Sequence, residues 1–197
     1  MNQNKIALTD NKILSLISER WSPRAFDSKQ IEEEKLMSIF EAARWSASAM
    51  NEQPWRFVYA RKENMEHFSK LFDSLADGNK IWAKNAPVLI ACFYKKTYTA
   101  EKRENKNAKF DLGLAVQSMI LQALSYEIYM HPMAGFDFAK LKSDLNISDD
   151  FEPAIILASG YLGEANDLPE DLKARETANR TRKKLYEFVY EGKADFK

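Results

Sequence analysis

Glycine is scarce in this chain of 197 residues. There are six, Gly78, Gly113, Gly135, Gly160, Gly163 and Gly192. No two are separated by a single residue, so a G-x-G-x-x-G turn cannot occur, and G-x-x-x-x-G-K is absent as well. Those loops hold phosphates on backbone N–H groups. A phosphorylated ligand here must be held largely by side chains. One cysteine, Cys92, excludes an internal disulfide and any C-x-x-C site. It lies in an apolar run and reads as a buried, inert thiol. Two histidines, His67 and His131, are too few for the common zinc sites, and no metal is expected. G-x-S-x-G is missing, which removes support for a hydrolase elbow. Charge of one sign is not in excess: 29 basic and 29 acidic side chains cancel. No global field exists to hold nucleic acid or an anionic membrane. No stretch approaches the roughly 20 apolar residues of a membrane span. The N-terminal MNQNKIALTDNK has no apolar h-region, so a cytoplasmic location is expected.

What is present is an alternation of helical and extended patterns without repeats, read as one domain over 1–197. Residues 11–19 predict a first helix, with Ile13, Leu14 and Ile17 on one face. Residues 32–44 predict a second, carrying Leu36, Ile39, Phe40 and Ala43 at helical spacing. A small polar loop, 45–54, leads to a short strand at 56–60. Residues 62–72 are amphipathic, and 73–80 reads as a loop. The continuous apolar run PVLIACFY, 87–94, predicts a strand buried on both faces. Residues 96–109 are a charged excursion, and 110–129 give the strongest helix signal. A loop at 131–136, a short helix at 137–145, a strand at 153–161 and a final strand at 187–190 complete the pattern. Strands interleaved with long helices define an α+β or α/β class.

Three segments are unusual for a bland globular domain. Arg20-Trp21-Ser22-Pro23-Arg24 puts two guanidiniums and a hydroxyl on a non-helical stretch. Arginine forks suit phosphate oxygens, although taken alone the pair reads first as a solvated loop. The loop Ser46 to Trp55 offers donors and acceptors from Ser48, Asn51 and Gln53 among small residues, suited either to a planar heterocycle or to a capped turn. The tail carries Lys173, Arg175, Arg180, Arg182, Lys183 and Lys184 against a single acid, Glu176, within 173–184. Charge runs are usually solvated faces. If Arg180-Thr181-Arg182 meets the Arg20 segment, together they make a site for a phosphate dianion. His131 reads as a structural histidine bonded to backbone ahead of a catalytic base.

Taken together, these segments resemble the FMN-dependent nitroreductase family. The matches run in order: RWSPRAF at 20–26, EAARWSASAMNEQPWRFV at 41–58, Asn79 with NAPVLI at 85–90, DLGLAVQSMILQA at 111–123, HPMAGFD at 131–137, EPAIILASGYLGE at 152–164 and RTRKKL at 180–185. The resemblance implies a mixed, mainly antiparallel sheet flanked by helices, in an interlocked homodimer with two FMN sites at the interface. It implies that the tail, 165–197, packs on the partner subunit.

Residue by residue, Arg20 and Ser22 with the neighbouring Trp21 match the FMN phosphate segment, helped by Arg180 and Arg182. Arg24 and Asn79 match side chains at the ribityl chain and pyrimidine edge. Ser48, Met50, Asn51 and Gln53 match the loop offered by the partner. Pro132, Met133, Ala134 and Gly135 match the loop over the isoalloxazine, with the Ala134 backbone N–H facing flavin N5. The implied activity is ping-pong transfer from NADH or NADPH to nitroaromatic, quinone or similar small conjugated acceptors. The flavin carries such chemistry. The alternatives are a flavin-binding protein without NAD(P)H turnover, serving storage, sensing or oxygen-dependent chemistry, and a cofactor-free dimeric module. Two departures stand out. Ala47 and Met50 replace the family's usual Pro and Gly or Thr. Glu127-Ile128-Tyr129 replaces Gly-Leu-Gly, removing the residues favoured at a left-handed helix end. There the helix either runs on or the turn is rebuilt.

Overall fold

A computed structural model describes residues 5–192. The chain ends at 1–4 and 193–197, parts of the expected domain and tail, lie outside the described residues. Four strands form one sheet in the order β1-β2-β4-β3: β1 (Trp55–Arg61), β2 (Val88–Lys95), β3 (Tyr129–Met133) and β4 (Phe151–Gly160). All three pairings are antiparallel. Seven α-helices flank it: α1 (Ser15–Glu19), α2 (Glu33–Arg44), α3 (Met65–Phe72), α4 (Asp77–Ala83), α5 (Ala108–Leu124), α6 (Phe138–Asp144) and α7 (Glu170–Thr177). The architecture is α+β.

The sheet separates two apolar clusters, and β2 shows why. It is a central strand whose side chains alternate between faces. Leu89, Ala91 and Phe93 enter one cluster with Phe68, Leu71 and Trp82 of α3 and α4. Val88, Ile90 and Cys92 enter the other with Leu36 and Ile39 of α2 and Leu112, Ala115 and Met119 of α5. The run 87–94 is apolar throughout because neither face meets water. Pro153, inside β4, pairs with Phe93 where the register shifts between Cys92 and Phe93. A bulge is one of the few places a sheet tolerates proline. Pro132 sits in β3, at the end of the strand order, where a missing N–H costs little.

Several expectations are corrected. The 73–80 loop gives way at Asp77 to α4, which buries Trp82 and Ala83. The region 131–136 is strand through Met133, because β3 pairs Tyr129 to Met133 with Gly160 to Ile156. The long helix stops at Leu124, where a tight turn intervenes. The first helix is only Ser15–Glu19. No strand forms at 187–190; Leu185–Glu187 is a 3₁₀ turn with no sheet neighbour among the described residues. α7 lay hidden in a run of charges, since only Leu172 and Glu176 of its face are buried.

After β4 the chain turns back over Arg24-Ala25-Phe26. Asp27 N–H donates to the Tyr161 carbonyl and Gly163 N–H to the Ala25 carbonyl, both at 3.0 Å. A side chain at Gly163 would place Cβ 2.6 Å from the Phe26 carbonyl carbon. Glycine here is a matter of backbone approach, and it fixes the downstream end of the RWSPRAF segment.

Candidate functional site: an arginine-rich anion pocket

Arg20 follows α1 in an extended conformation, ending the helix. Its Nη1 donates to Ser22 Oγ at 3.1 Å. The tail arrives beside it. Arg180 Nη1 donates to the carbonyls of Lys5 and Ser18 at 2.7 and 2.5 Å, so the tail is stitched to the segment before and within α1. Arg182 stands near both: burial and then the neighbouring Arg182 charge lower the pKa of Arg20, and burial, Arg20 and Arg182 lower that of Arg180. The two arginine segments, 160 positions apart, therefore do meet.

No carboxylate lies within ion-pair distance of Arg20, Arg24, Arg180 or Arg182 among the described residues. Asp10, the acid in the adjoining wall, is taken by Lys184 at 3.1 Å. Arg20, Arg180 and Arg182 line a cavity of about 630 Å³ whose apolar walls include Ile13, Ile17 and Phe188. The partly buried Arg20 and Arg180 guanidiniums, which repel one another and the exposed Arg182, are stabilised by an anion. The donor set fits a phosphate group.

The peptide between Pro23 and Arg24 is held at both ends. His131 Nδ1 lies 2.8 Å from the Pro23 carbonyl, which can only accept, so Nδ1 carries the proton and donates. The Arg24 N–H donates to both oxygens of Glu176 at 2.9 and 3.0 Å, and the Ala25 N–H donates to Glu176 Oε1 at 3.0 Å. Glu176 is 3% exposed. The His131 ring packs on Trp82 with centroids 4.5 Å apart. Burial, with the Arg24 and Arg20 charges adding to it, pushes the His131 pKa down to about 4 despite the bonds to backbone. The ring is neutral near pH 7 and acts as a fixed donor. Trp21 is wedged nearby, with Lys5 Nζ 4.8 Å above its ring and the Tyr129 ring against it at 6.2 Å.

Asn79 and the 132–135 stretch also come together. Asn79 Nδ2 donates to the Gly135 carbonyl at 3.1 Å, and the Ala76 N–H bonds the same carbonyl at 2.9 Å. Met133 is buried, while Ala134 and Gly135 are exposed beyond the end of β3. Through His131 this strand reaches the Pro23 carbonyl of the RWSPRAF segment.

The loop bearing Ser48, Met50, Asn51 and Gln53 is not part of that cluster. No hydrogen bond or ion pair among the described residues joins it to Arg20, Arg180 or Arg182. Ser48 Oγ instead accepts from the Gln53 N–H at 3.0 Å, and the Ala49 N–H donates to the Asp111 carboxylate at 3.1 Å. Glu52 Oε1 accepts from the Thr99 N–H at 2.7 Å, tying the loop to the charged excursion. Met50, Asn51 and Gln53 all have left-handed φ, at 55°, 53° and 51°. Three non-glycine residues so placed cost of order 1–3 kcal/mol each and persist only where surroundings impose them. Met50 is 72% exposed, presented outward by that backbone.

Two buried acids that hold loop backbone escaped the pattern reading, Glu176 and Asp111. Both carried a signal: Glu176 follows the buried Leu172 by four, and Asp111 precedes the buried Ala115 by four, so each acid lies on a buried helix face. Among the described residues no group of three or more His, Cys, Asp or Glu can hold a metal, and no helix is long and apolar enough to cross a membrane.

Fold and pocket together define an α+β protein with an arginine-lined cavity where its N-terminal third meets its tail. The nitroreductase family model matches residues 17–161, and the chain belongs to that family. A solved structure described as an oxidoreductase containing FMN is 34% identical, covers all of both chains and superposes with a TM-score of 0.90. A nitroreductase family protein of Clostridium difficile is 23% identical over 91% of this chain and 97% of its own, with a TM-score of 0.72, and shares the fold. The major NAD(P)H-flavin oxidoreductase of Aliivibrio fischeri is 27% identical over 135 residues, 68% of this chain and 59% of its own.

Proposed function

We propose that this protein is an FMN-dependent oxidoreductase using NADH or NADPH. The observation that carries the reading is the cluster of Arg20, Arg180 and Arg182 without a carboxylate partner, in a chain without glycine phosphate loops. FMN, when bound, supplies the redox chemistry: two electrons taken from NAD(P)H at N5 and passed, in a ping-pong cycle, to a nitroaromatic, quinone or similar small conjugated acceptor.

The chain's own residues bind and orient. Arg20, Ser22, Arg180 and Arg182 hold the phosphate through charge-assisted hydrogen bonds. Arg24 places a cation, and Asn79 a side-chain amide, at the pyrimidine edge. Trp21 backs the phosphate segment. Pro132, Met133, Ala134 and Gly135 form the ring platform, where the exposed Ala134 can direct its N–H to N5. His131 is committed to the Pro23 carbonyl and is not a proton donor to the acceptor. The acceptor is therefore selected by shape and by the electronics of the flavin.

A homodimer completes this site. The loop of Ser48, Met50, Asn51 and Gln53 faces away from its own arginines and serves the partner's pocket. Leu14 and Phe110 are 70% and 69% exposed, more than isolated apolar side chains require, and fit a subunit interface. The exposed stretch 183–192 is the part of the tail available to lie on the partner.

Reconstitution with FMN tests the reading. A yellow protein with flavin absorbance, bleached anaerobically by NADH or NADPH and restored by a quinone or nitroaromatic, is expected. A protein that stays colourless overturns it. Flavin that binds but stays oxidised with both reductants favours a flavin-binding protein without turnover.

A further inference from the structure

Two elements distant in sequence converge on the Pro23–Arg24 peptide. Its carbonyl accepts from His131 of β3 and its N–H donates to Glu176 of α7. Neither side chain reaches the cavity lining. The same peptide follows directly on Ser22-Pro23, so holding it fixes the path of the Arg20 to Ser22 stretch. Glu176 also lies four residues before Arg180 on the tail. Its buried carboxylate faces the charges of Lys5, which itself bonds the Ala178 carbonyl. A carboxylate that accepts three backbone hydrogen bonds is a directional fastener, and burying it without such partners is costly.

We propose that Glu176 and His131 are positioning residues for the phosphate-binding arginines: by fixing opposite ends of the Pro23–Arg24 peptide they set Arg20 and Ser22 in register with Arg180 and Arg182. The proposal rests on the flavin-phosphate reading of the pocket. Neither residue touches the ligand, and their effect is confined to the phosphate end, where the two arginine segments must coincide. Charge-assisted hydrogen bonds to the three terminal phosphate oxygens tolerate little displacement of the donors.

The test compares FMN with riboflavin, which has the same ring and ribityl chain but no phosphate. The full chain stripped of flavin is titrated with each, for the unaltered protein and for Glu176→Ala, Glu176→Gln and His131→Phe. Inorganic phosphate is followed separately by the shift it causes in melting temperature. Glu176→Ala is expected to weaken FMN at least tenfold while riboflavin changes less than twofold. Glu176→Gln, which keeps one acceptor oxygen, should lose less. His131→Phe, which keeps the packing on Trp82 but not the donor, should weaken FMN at least threefold with riboflavin unaffected. Parallel losses for FMN and riboflavin, or unchanged FMN affinity in folded variants, overturn the proposal. If Glu176→Ala fails to fold, the other two variants decide. If the unaltered chain takes phosphate but not FMN, the flavin reading falls alone, and loss of the phosphate shift in the variants still decides the positioning role. Binding of neither overturns both.

Discussion

The Ile128 N–H donates to the Ala123 carbonyl at 3.0 Å, closing a loop around Glu127, which stands at φ 59°. The Glu127 N–H bonds the Leu124 carbonyl at 2.9 Å. This six-to-one and five-to-two pair is the Schellman ending, and Ala123 and Ile128 are both buried in one core cluster. The missing glycines at 127 and 129 thus did not lengthen the helix. The turn was rebuilt in glycine geometry with a glutamate, and β3 begins on time at Tyr129. Glu127→Gly should relieve the left-handed strain and stabilise the protein by about 0.5–1 kcal/mol. Glu127→Val, β-branched at the same φ, should destabilise it by about 1 kcal/mol or more. Urea unfolding of both variants checks the sign.

His131 links stability to acid. Its pKa falls from an ordinary 6.5 to about 4 in the folded chain, chiefly through burial. The neutral form is favoured by folding, so the contribution is fully present above pH 6.5. Below that the unfolded chain binds a proton the native chain refuses, and stability is lost as pH falls towards 4. The full loss from this group is about 3 kcal/mol. Unfolding free energies measured between pH 7 and 4 should fall with a slope that His131→Phe visibly flattens. An unchanged slope in the variant removes His131 as the cause.

Removing a charge from the arginine cluster should cost binding without costing the fold. Arg182 is exposed and, among the described residues, donates only to its neighbour's carbonyl, Thr181. Arg182→Ala relieves repulsion on Arg20 and Arg180, so the flavin-free chain should melt within a degree or two of the unaltered one. FMN affinity should fall about ten- to a hundredfold, the worth of one charge-assisted contact of about 1.5–3 kcal/mol. The loss should shrink in high salt.

Gly163→Ala tests the return of the chain over Phe26. The new Cβ meets backbone atoms at 2.6 to 2.9 Å, which cannot rotate aside. A destabilisation of about 2–3 kcal/mol is expected. Because this contact fixes the end of the RWSPRAF segment, weaker FMN binding should accompany it.

The sequence by itself determined a good deal. The apolar run at 87–94 had to be a strand covered on both faces, and β2 is that strand. The lack of glycine loops meant that a phosphate would fall to side chains, and the order of motifs named the family. Structural histidine was the better reading of His131, and its bond to Pro23 bears that out. Local pattern failed where burial rather than composition decided the element. α4 and α7 are polar stretches that become helices because one or two residues, Trp82 and Ala83 or Leu172 and Glu176, find a buried place. β3 contains a proline and a histidine and is a strand only because β4 lies beside it.

Only the tertiary structure could decide which arginines are neighbours. Arg20 and Arg180 meet because the chain after β4 crosses Phe26 at Gly163, α7 docks its lone buried acid on the Arg24 and Ala25 N–H groups, and Arg180 reaches back to Lys5 and Ser18. Charge counts are blind to this, for opposite and like charges sum to zero wherever they stand. Residue types set what chemistry the chain can offer. Long-range packing, paid in buried area and backbone hydrogen bonds, sets where that chemistry is assembled.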